Sequence, residues 1–135
     1  MKVKLEDAGE DNSELIEEIE DSFIEEYISL PGQYEINESR IIDLANAQVI
    51  WEDKILPLTA KEHDILEALV RNANHIVTID ALCEAVWGDN PFGYGNSLLA
   101  HIRRIREKIE ITPSKPKSLI TVKGLGYKIN VESRL

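Results

Sequence analysis

The sequence has few of the residues that stabilise small proteins covalently or through metals. Cys83 is the single cysteine among 135 residues, so the chain cannot form an internal disulfide, and it suits a reducing compartment. The three histidines, His63, His75 and His101, have no cysteine close to them in the sequence, which argues against a zinc site. We therefore predict no metal and no other cofactor.

Long apolar segments and catalytic motifs are also missing. No apolar run approaches the roughly 18 residues of a membrane-spanning helix, and Met1–Asp7 lacks the apolar region of a signal peptide. Gly124-Leu125-Gly126 is not followed by the Lys and Ser/Thr of a phosphate-binding loop. Cys83 stands among apolar positions of a predicted helix, where a packing role is expected. These features predict a cytoplasmic protein that is not an enzyme and has no membrane partner.

The formal net charge of −10 is distributed unevenly. Residues 1–39 hold two lysines and thirteen acidic residues, whereas residues 40–135 hold thirteen basic and twelve acidic residues. Within residues 96–128, eight basic residues accompany two acidic ones, which gives a local net charge of +6. Because phosphate binding depends on local charge, the acidic total does not exclude a nucleic-acid partner.

The segment Asn96–Glu110 predicts an amphipathic helix with a basic polar side. Apolar residues recur at the three- and four-residue spacing of one helix face, namely Leu98, Ile102, Ile105 and Ile109. A second stripe about a quarter turn away is polar and basic, and consists of Ser97, His101, Arg104 and Lys108. Arg103 and Arg106 flank the apolar seam on its other side. This surface suits a polyanion, although exposed helices also carry Lys and Arg for solubility alone.

A β-hairpin is predicted after this helix, over residues 119–131. Ile120 and Val122 alternate with polar residues, and the return strand alternates in the same way. Gly124 and Gly126 are predicted to supply the turn, which also carries Lys123. A basic helix followed by such a hairpin predicts a winged helix, in which the helix enters the major groove and the hairpin lies on the backbone or minor groove.

The preceding chain predicts a small antiparallel sheet and two more helices. Short strand-like runs are separated by turn residues, and they cover residues 34–36, 40–44, 48–51 and 54–56. Thr59 with Glu62 forms a capping-box pattern at the start of one helix. After an extended link at His75–Val77, Thr78 caps the next helix and Gly88 closes it.

Residues 1–32 form a predicted acidic extension, separate from a domain at residues 33–135. Ser13–Leu30 has one apolar stripe among many acidic residues, which predicts an amphipathic helix. Three roles are open for it: packing on the surface of the domain, contact with a second copy, or an acidic cover that competes with DNA phosphates for the basic face.

Residues 40 to 131 resemble the DNA-binding effector domain of OmpR/PhoB-type response regulators of two-component systems. The resemblance rests on L-T-A-K-E-H-D-I-L-E-A-L, A-V-W-G-D, H-I-R-R-I-R-E-K-I and T-V-K-G-L-G-Y-K-I, in that order. It implies an α+β winged helix-turn-helix that binds double-stranded promoter DNA, in many members as a tandem dimer, to regulate transcription. It also implies that the 88–95 loop can contact RNA polymerase.

The resemblance also implies which side chains contact DNA. Those positions are His101, Arg103, Arg104 and Arg106 in the recognition helix, Thr121 and Lys123 in the wing, and Trp87 at the end of the second helix. Arg104 is the predicted base contact, because arginine to guanine is the commonest specific pairing. Arg106 lies near the apolar seam, so a structural ion pair is an equally good interpretation of it.

The sequence departs from the family pattern at several positions. Asn96 replaces a phosphate-binding arginine, Leu99 replaces a polar residue, and Lys123 replaces an arginine, which loses the bidentate geometry of a guanidinium. Residues 1–39 are too short for a phospho-acceptor receiver domain. The alternative function is a protein-protein interaction module that uses the acidic helix and the 88–95 loop, since fold alone does not fix function.

Overall fold

The computed structural model of the protein describes residues 32–88 and 93–134, with only the backbone at Arg134. The elements follow in this order: β1 Gln33–Asn37, β2 Arg40–Asp43, β3 Gln48–Trp51, β4 Lys54–Pro57, α1 Ala60–Arg71, β5 Ile76–Thr78, α2 Ile79–Trp87, α3 Gly95–Ile109, β6 Leu119–Val122, β7 Gly126–Ile129 and β8 Ser133–Arg134. The expected α+β winged helix-turn-helix is confirmed. The predicted acidic helix Ser13–Leu30 lies outside the described residues, and the division of the chain at residue 32 stays a prediction.

The N-terminal sheet is antiparallel and has the strand order β4-β3-β2-β1-β8. Tyr34, Ile42, Val49 and Leu56 are paired across its first four strands and pack on the core, as expected where alternate residues of a strand point to the same face. The predicted meander is confirmed. The fifth strand, β8, was not predicted.

The first two helices begin where the sequence predicted. The Thr59 hydroxyl accepts a hydrogen bond from the Glu62 backbone N–H, and the Glu62 carboxylate accepts one from the Thr59 N–H, which completes the capping box of α1. The Thr78 hydroxyl caps α2 by accepting from the Ala81 N–H. Gly88 ends α2 with a φ of 84°, which a residue with a side chain rarely adopts.

The wing belongs to a three-stranded sheet in the order β5-β7-β6. The predicted link at residues 75–77 is therefore partly a strand, because Ile76–Thr78 pairs with β7. The prediction that Gly126 supplies the turn is wrong. Gly124 does so with a φ of 79°, while Gly126 lies inside β7, where a Cβ atom would stand 2.1 Å from the Val77 carbonyl oxygen.

The core lies between the helices and the two sheets. The apolar seam of α3 is buried throughout, with Leu98, Ile102, Ile105 and Ile109 at most 1% exposed. Each buried side chain of this size stabilises the fold by roughly 1.5–3 kcal/mol relative to an exposed one. Burial of the seam therefore determines which face of α3 points away from the protein.

Among the described residues, we find no helix with the length and apolar character that crossing a membrane requires.

Candidate nucleic-acid interface

The outward face of α3 carries two exposed arginines. Arg103 and Arg104 project away from the buried seam, and neither guanidinium has a hydrogen-bond or salt-bridge partner among residues 32–88 and 93–134. Asn96 and Glu107 are exposed on the same face. From the sequence, Asn96 stands out only as the replacement of a phosphate-binding arginine, and Glu107 is not a predicted site residue. A face centred opposite the seam, rather than a quarter turn from it, would have identified both.

His101 takes part in an aromatic cluster at the N-terminal half of α3. Its ring meets the Trp87 indole edge-on at a centroid distance of 5.9 Å, and Trp87 stacks on Tyr94 at 4.7 Å with an interplanar angle of 4°. Nδ1 of His101 lies 2.7 Å from the Ser97 carbonyl oxygen. The Lys61 ammonium lies 5.7 Å from the indole ring. Trp87 and His101 are half-buried as a result.

Arg106 is held by the wing. Its Nε donates to the Leu119 carbonyl oxygen at 3.0 Å and its Nη2 donates to the Thr121 hydroxyl at 2.9 Å, while the guanidinium carbon lies 6.0 Å from the Tyr127 ring centroid. Burial lowers the pKa of Arg106, and Tyr127 and Glu110 partly offset this effect. These contacts favour a structural role for Arg106, but its partners are a carbonyl and a hydroxyl oxygen, and the structure shows no ion pair of Arg106 among the described residues.

Lys108 points into the protein although it continues the predicted polar stripe. Its ammonium lies 2.6 Å from the Glu62 carboxylate, which is 1% exposed, and it donates to the Pro57 carbonyl oxygen at 2.7 Å. Burial raises the pKa of Glu62, but the hydrogen bonds from Lys108 and Thr59 and the charge of Lys108 outweigh it, so the net shift is downward. The ion pair joins the start of α1 to the end of α3.

The wing presents a third exposed cation, Lys123. Lys123, Gly124 and Leu125 form the exposed tip between β6 and β7, and Leu125 is 56% exposed. Thr121 is exposed as well, but its hydroxyl already accepts the bond from Arg106. The structure thus places Arg103, Arg104 and Lys123 at the surface. Arg106 and Lys108 instead bond other parts of the fold: Arg106 attaches α3 to the wing, and Lys108 attaches α3 to the start of α1.

Two other places in the fold hold residue types that can ligate a metal or act as a nucleophile. His63, Asp64 and Glu67 bring three potential metal ligands within 4.8 Å of one another, the one such group among the described residues. His63 Nε2 lies 3.1 Å from the Leu44 carbonyl oxygen and Glu67 pairs with Arg71 at 3.5 Å, so existing contacts account for them. Cys83 is buried, and burial raises the pKa of its thiol, which disfavours the reactive thiolate.

The chain is similar in sequence to known proteins. The family described as "Transcriptional regulatory protein, C terminal" matches residues 53–129. The sensory transduction protein RegX3 of Mycobacterium tuberculosis is 34% identical over 129 residues, which cover 96% of this chain and 50% of the relative. The chain spans about half the length of the curated relatives that it matches over most of its own length.

Solved structures show the same fold. The response regulator DrrB of Thermotoga maritima, an OmpR/PhoB homologue, has a TM-score of 0.64 and 30% identity, covering 84% of this chain and 52% of its own. The DNA-binding domain of RstA from Klebsiella pneumoniae, solved in complex with the RstA box, has a TM-score of 0.61 and 28% identity, covering 73% of this chain and 96% of its own.

Proposed function

Because the chain belongs to the family of C-terminal domains of transcriptional regulatory proteins, of the OmpR/PhoB type, we propose that it regulates transcription by sequence-specific binding to double-stranded DNA. The observation that carries the proposal is the pair Arg103 and Arg104 on the outward face of a helix whose opposite face is buried. A helix of this kind fits the major groove, and its arginines can reach base edges and phosphates.

The exposed cations take different roles in this proposal. Arg104, which lies beside His101 on the outward side of α3, contacts a base, and Arg103 contacts the phosphate backbone. Lys123 at the wing tip lies on the backbone or in the minor groove. Ser97, His101, Thr121 and Trp87 border these contacts and are exposed or half-buried. Arg106 and Lys108 act by holding the wing and the end of α3, as their internal contacts indicate.

Partners beyond DNA belong to the same proposal. The segment 88–95 leads from α2 to α3, and its Tyr94 ring, 36% exposed, stacks on Trp87. We propose that this segment contacts RNA polymerase and that two copies bind adjacent DNA repeats in the cytoplasm. A winged domain that binds only protein would have no use for the exposed cations of α3 and the wing together.

The test is DNA binding by the full chain as a function of salt concentration. The wild-type protein is used to select a duplex from a random-sequence pool, and its affinity is compared with that of the double variant Arg103→Ala/Arg104→Ala. We expect the wild type to bind with a log–log salt slope of roughly −4 to −6, because about five to seven phosphates are neutralised. The double variant should bind at least about 30-fold more weakly.

Arg71→Ala is the matched control, because Arg71 is exposed on α1 and its contact is a surface pair with Glu67. It should leave the affinity unchanged. A wild-type chain that selects no duplex at low salt would contradict the proposed function and favour the protein-binding alternative.

A further inference from the structure

The C-terminal end of α3 is not capped by its own sequence. The last four carbonyl groups of any helix lack hydrogen-bond donors within it. A glycine in the left-handed conformation commonly follows the helix and allows backbone N–H groups there to bond these carbonyls. Here α3 ends at Ile109, and the capping residue Glu110 is extended, with φ −89° and ψ 141°. The Glu110 N–H bonds the Arg106 carbonyl oxygen. The following carbonyls need donors from elsewhere.

For the carbonyls of Lys108 and Ile109, the donors come from the N-terminal sheet. The Trp51 indole N–H, at the end of β3, donates to the Lys108 carbonyl oxygen at 2.6 Å, and the Asn37 side-chain amide, at the end of β1, donates to the Ile109 carbonyl oxygen at 2.9 Å. The donors are 57 and 72 residues from their acceptors in the sequence. The Arg40 guanidinium covers the indole at 3.6 Å from the ring centroid, which holds the ring in place.

The wing is attached at the same place, where the C-terminal end of α3 meets the N-terminal sheet. The Glu110 carboxylate accepts hydrogen bonds from the backbone N–H groups of Lys117, Ser118 and Leu119, where β6 begins. The Ser118 hydroxyl donates to the carbonyl oxygen of Ile36 in β1 at 3.2 Å. The end of α3 and the start of the wing are therefore both attached to the end of β1.

We propose that Trp51 and Asn37 are positioning residues for DNA recognition. Their N–H groups fix the direction of α3 relative to the wing, so that Arg104 and Lys123 reach one duplex in register, although neither positioning side chain lies on the outward face of α3. This inference rests on the proposed function. It gives the N-terminal sheet a role in selecting a DNA sequence as well as in folding.

Two substitutions remove one donor each with little other change. Trp51→Phe keeps an aromatic ring under Arg40 and loses the indole N–H. Asn37→Asp keeps the Oδ1 acceptor for the Ser39 N–H and replaces the donor to Ile109 by a carboxylate. Ile36→Val is the control, because it trims a buried side chain in β1 beside Asn37 without touching a donor.

The measurement is the ratio of affinities for two duplexes of equal length, one selected from a random pool by the wild type and one of mixed sequence. Circular dichroism establishes that each full-length variant is folded at the temperature used. We expect each donor variant to lose affinity for the selected duplex by at most about five- to tenfold, because the binding free energy must then supply the positioning of α3 that one internal hydrogen bond provides in the wild type. Affinity for the mixed duplex should stay within about twofold, because it depends on phosphate contacts.

The outcomes separate this inference from the proposed function. A general effect of the new aspartate charge would weaken both duplexes equally and cancel in the ratio. Folded donor variants with the wild-type ratio, or an equal loss of ratio in Ile36→Val, would overturn the positioning role while the proposed function stands. A wild-type chain that binds no selected duplex would overturn the proposed function and this inference with it.

Discussion

The two ends of α3 are built differently. At its N-terminal end, after Tyr94, the helix has no side-chain cap from the residues that the structure describes, and Asn96 and Ser97 are exposed. At its C-terminal end the backbone is bonded to the N-terminal sheet and Lys108 is paired with the buried Glu62. Among the described residues, the first turn of the helix is exposed, whereas its last turn is fixed to the rest of the fold.

Basic residues that look alike in the sequence therefore have different roles in the structure. Arg104 and Lys108 are one helical turn apart on the same stripe, yet one is exposed and the other bonds a carboxylate inside the fold. Counting positive charges along α3 overestimates the charge offered to a polyanion. What decides the role of each cation is whether an acceptor in the protein lies within its reach.

Breaking the buried pair should produce the largest effect. Lys108→Ala leaves the Glu62 carboxylate buried without its cation, and we expect the free energy of unfolding to fall by about 3 kcal/mol. Denaturant unfolding at pH 7 measures it. The double variant Glu62→Gln/Lys108→Met should recover much of the loss, because no unpaired charge is then buried and the new side-chain amide oxygen can still accept the hydrogen bond from the Thr59 N–H. A loss below about 1 kcal/mol for Lys108→Ala would mean that solvent reaches the pair freely.

Removing the link between α3 and the wing should have the second-largest effect on stability. Arg106→Ala deletes two hydrogen bonds from a charged donor, to Leu119 and Thr121, and we expect a loss of about 2 kcal/mol in stability. The exposed Arg71→Ala serves as the comparison and should change stability by less than about 0.5 kcal/mol. Equal effects of the two substitutions would remove the distinction between inward and outward arginines.

Substitution of an outward arginine should affect binding and spare stability. Arg104→Ala should cost about 1–3 kcal/mol of specific binding and relax the preference at one base pair. Arg103→Ala, one position earlier, should instead weaken binding to all sequences alike and reduce the salt slope by about 1. Binding of a set of single-base variants of the selected duplex distinguishes the two. Equal losses on every sequence would make Arg104 a backbone contact.

The smallest predicted effect is a pH dependence of the stability that Glu62 contributes. The pKa of Glu62 is lowered in the folded protein, so its contribution to stability is present above the unfolded pKa of about 4.3 and is lost as pH falls through the lower folded value. The difference in unfolding free energy between wild type and Glu62→Gln should therefore be constant from pH 7 to about pH 5 and should narrow below about pH 4. If the difference in unfolding free energy between the two proteins widened in acid, the pKa of Glu62 would be raised in the folded protein and the prediction would be wrong.

The sequence was sufficient where the determining contacts are local. The caps at Thr59 and Thr78 and the seam of α3 depend on residues within a few positions, and all of them were predicted. The pairing of Ile76–Thr78 with β7 and the ion pair of Lys108 with Glu62 join distant segments. No periodicity in either segment contains that information, so the sequence alone predicts an extended link at residues 75–77 and a DNA contact at Lys108.

The chain has two tryptophans, and the fold places one beside each end of α3. Trp51 is bonded to the end of the helix and Trp87 is stacked on Tyr94 at its beginning. Their intrinsic fluorescence consequently offers two separate optical signals from an unlabelled protein. A Trp51→Phe chain would emit only from the start of the helix, and a Trp87→Phe chain only from its end, so that events at the open and the fixed end could be timed independently.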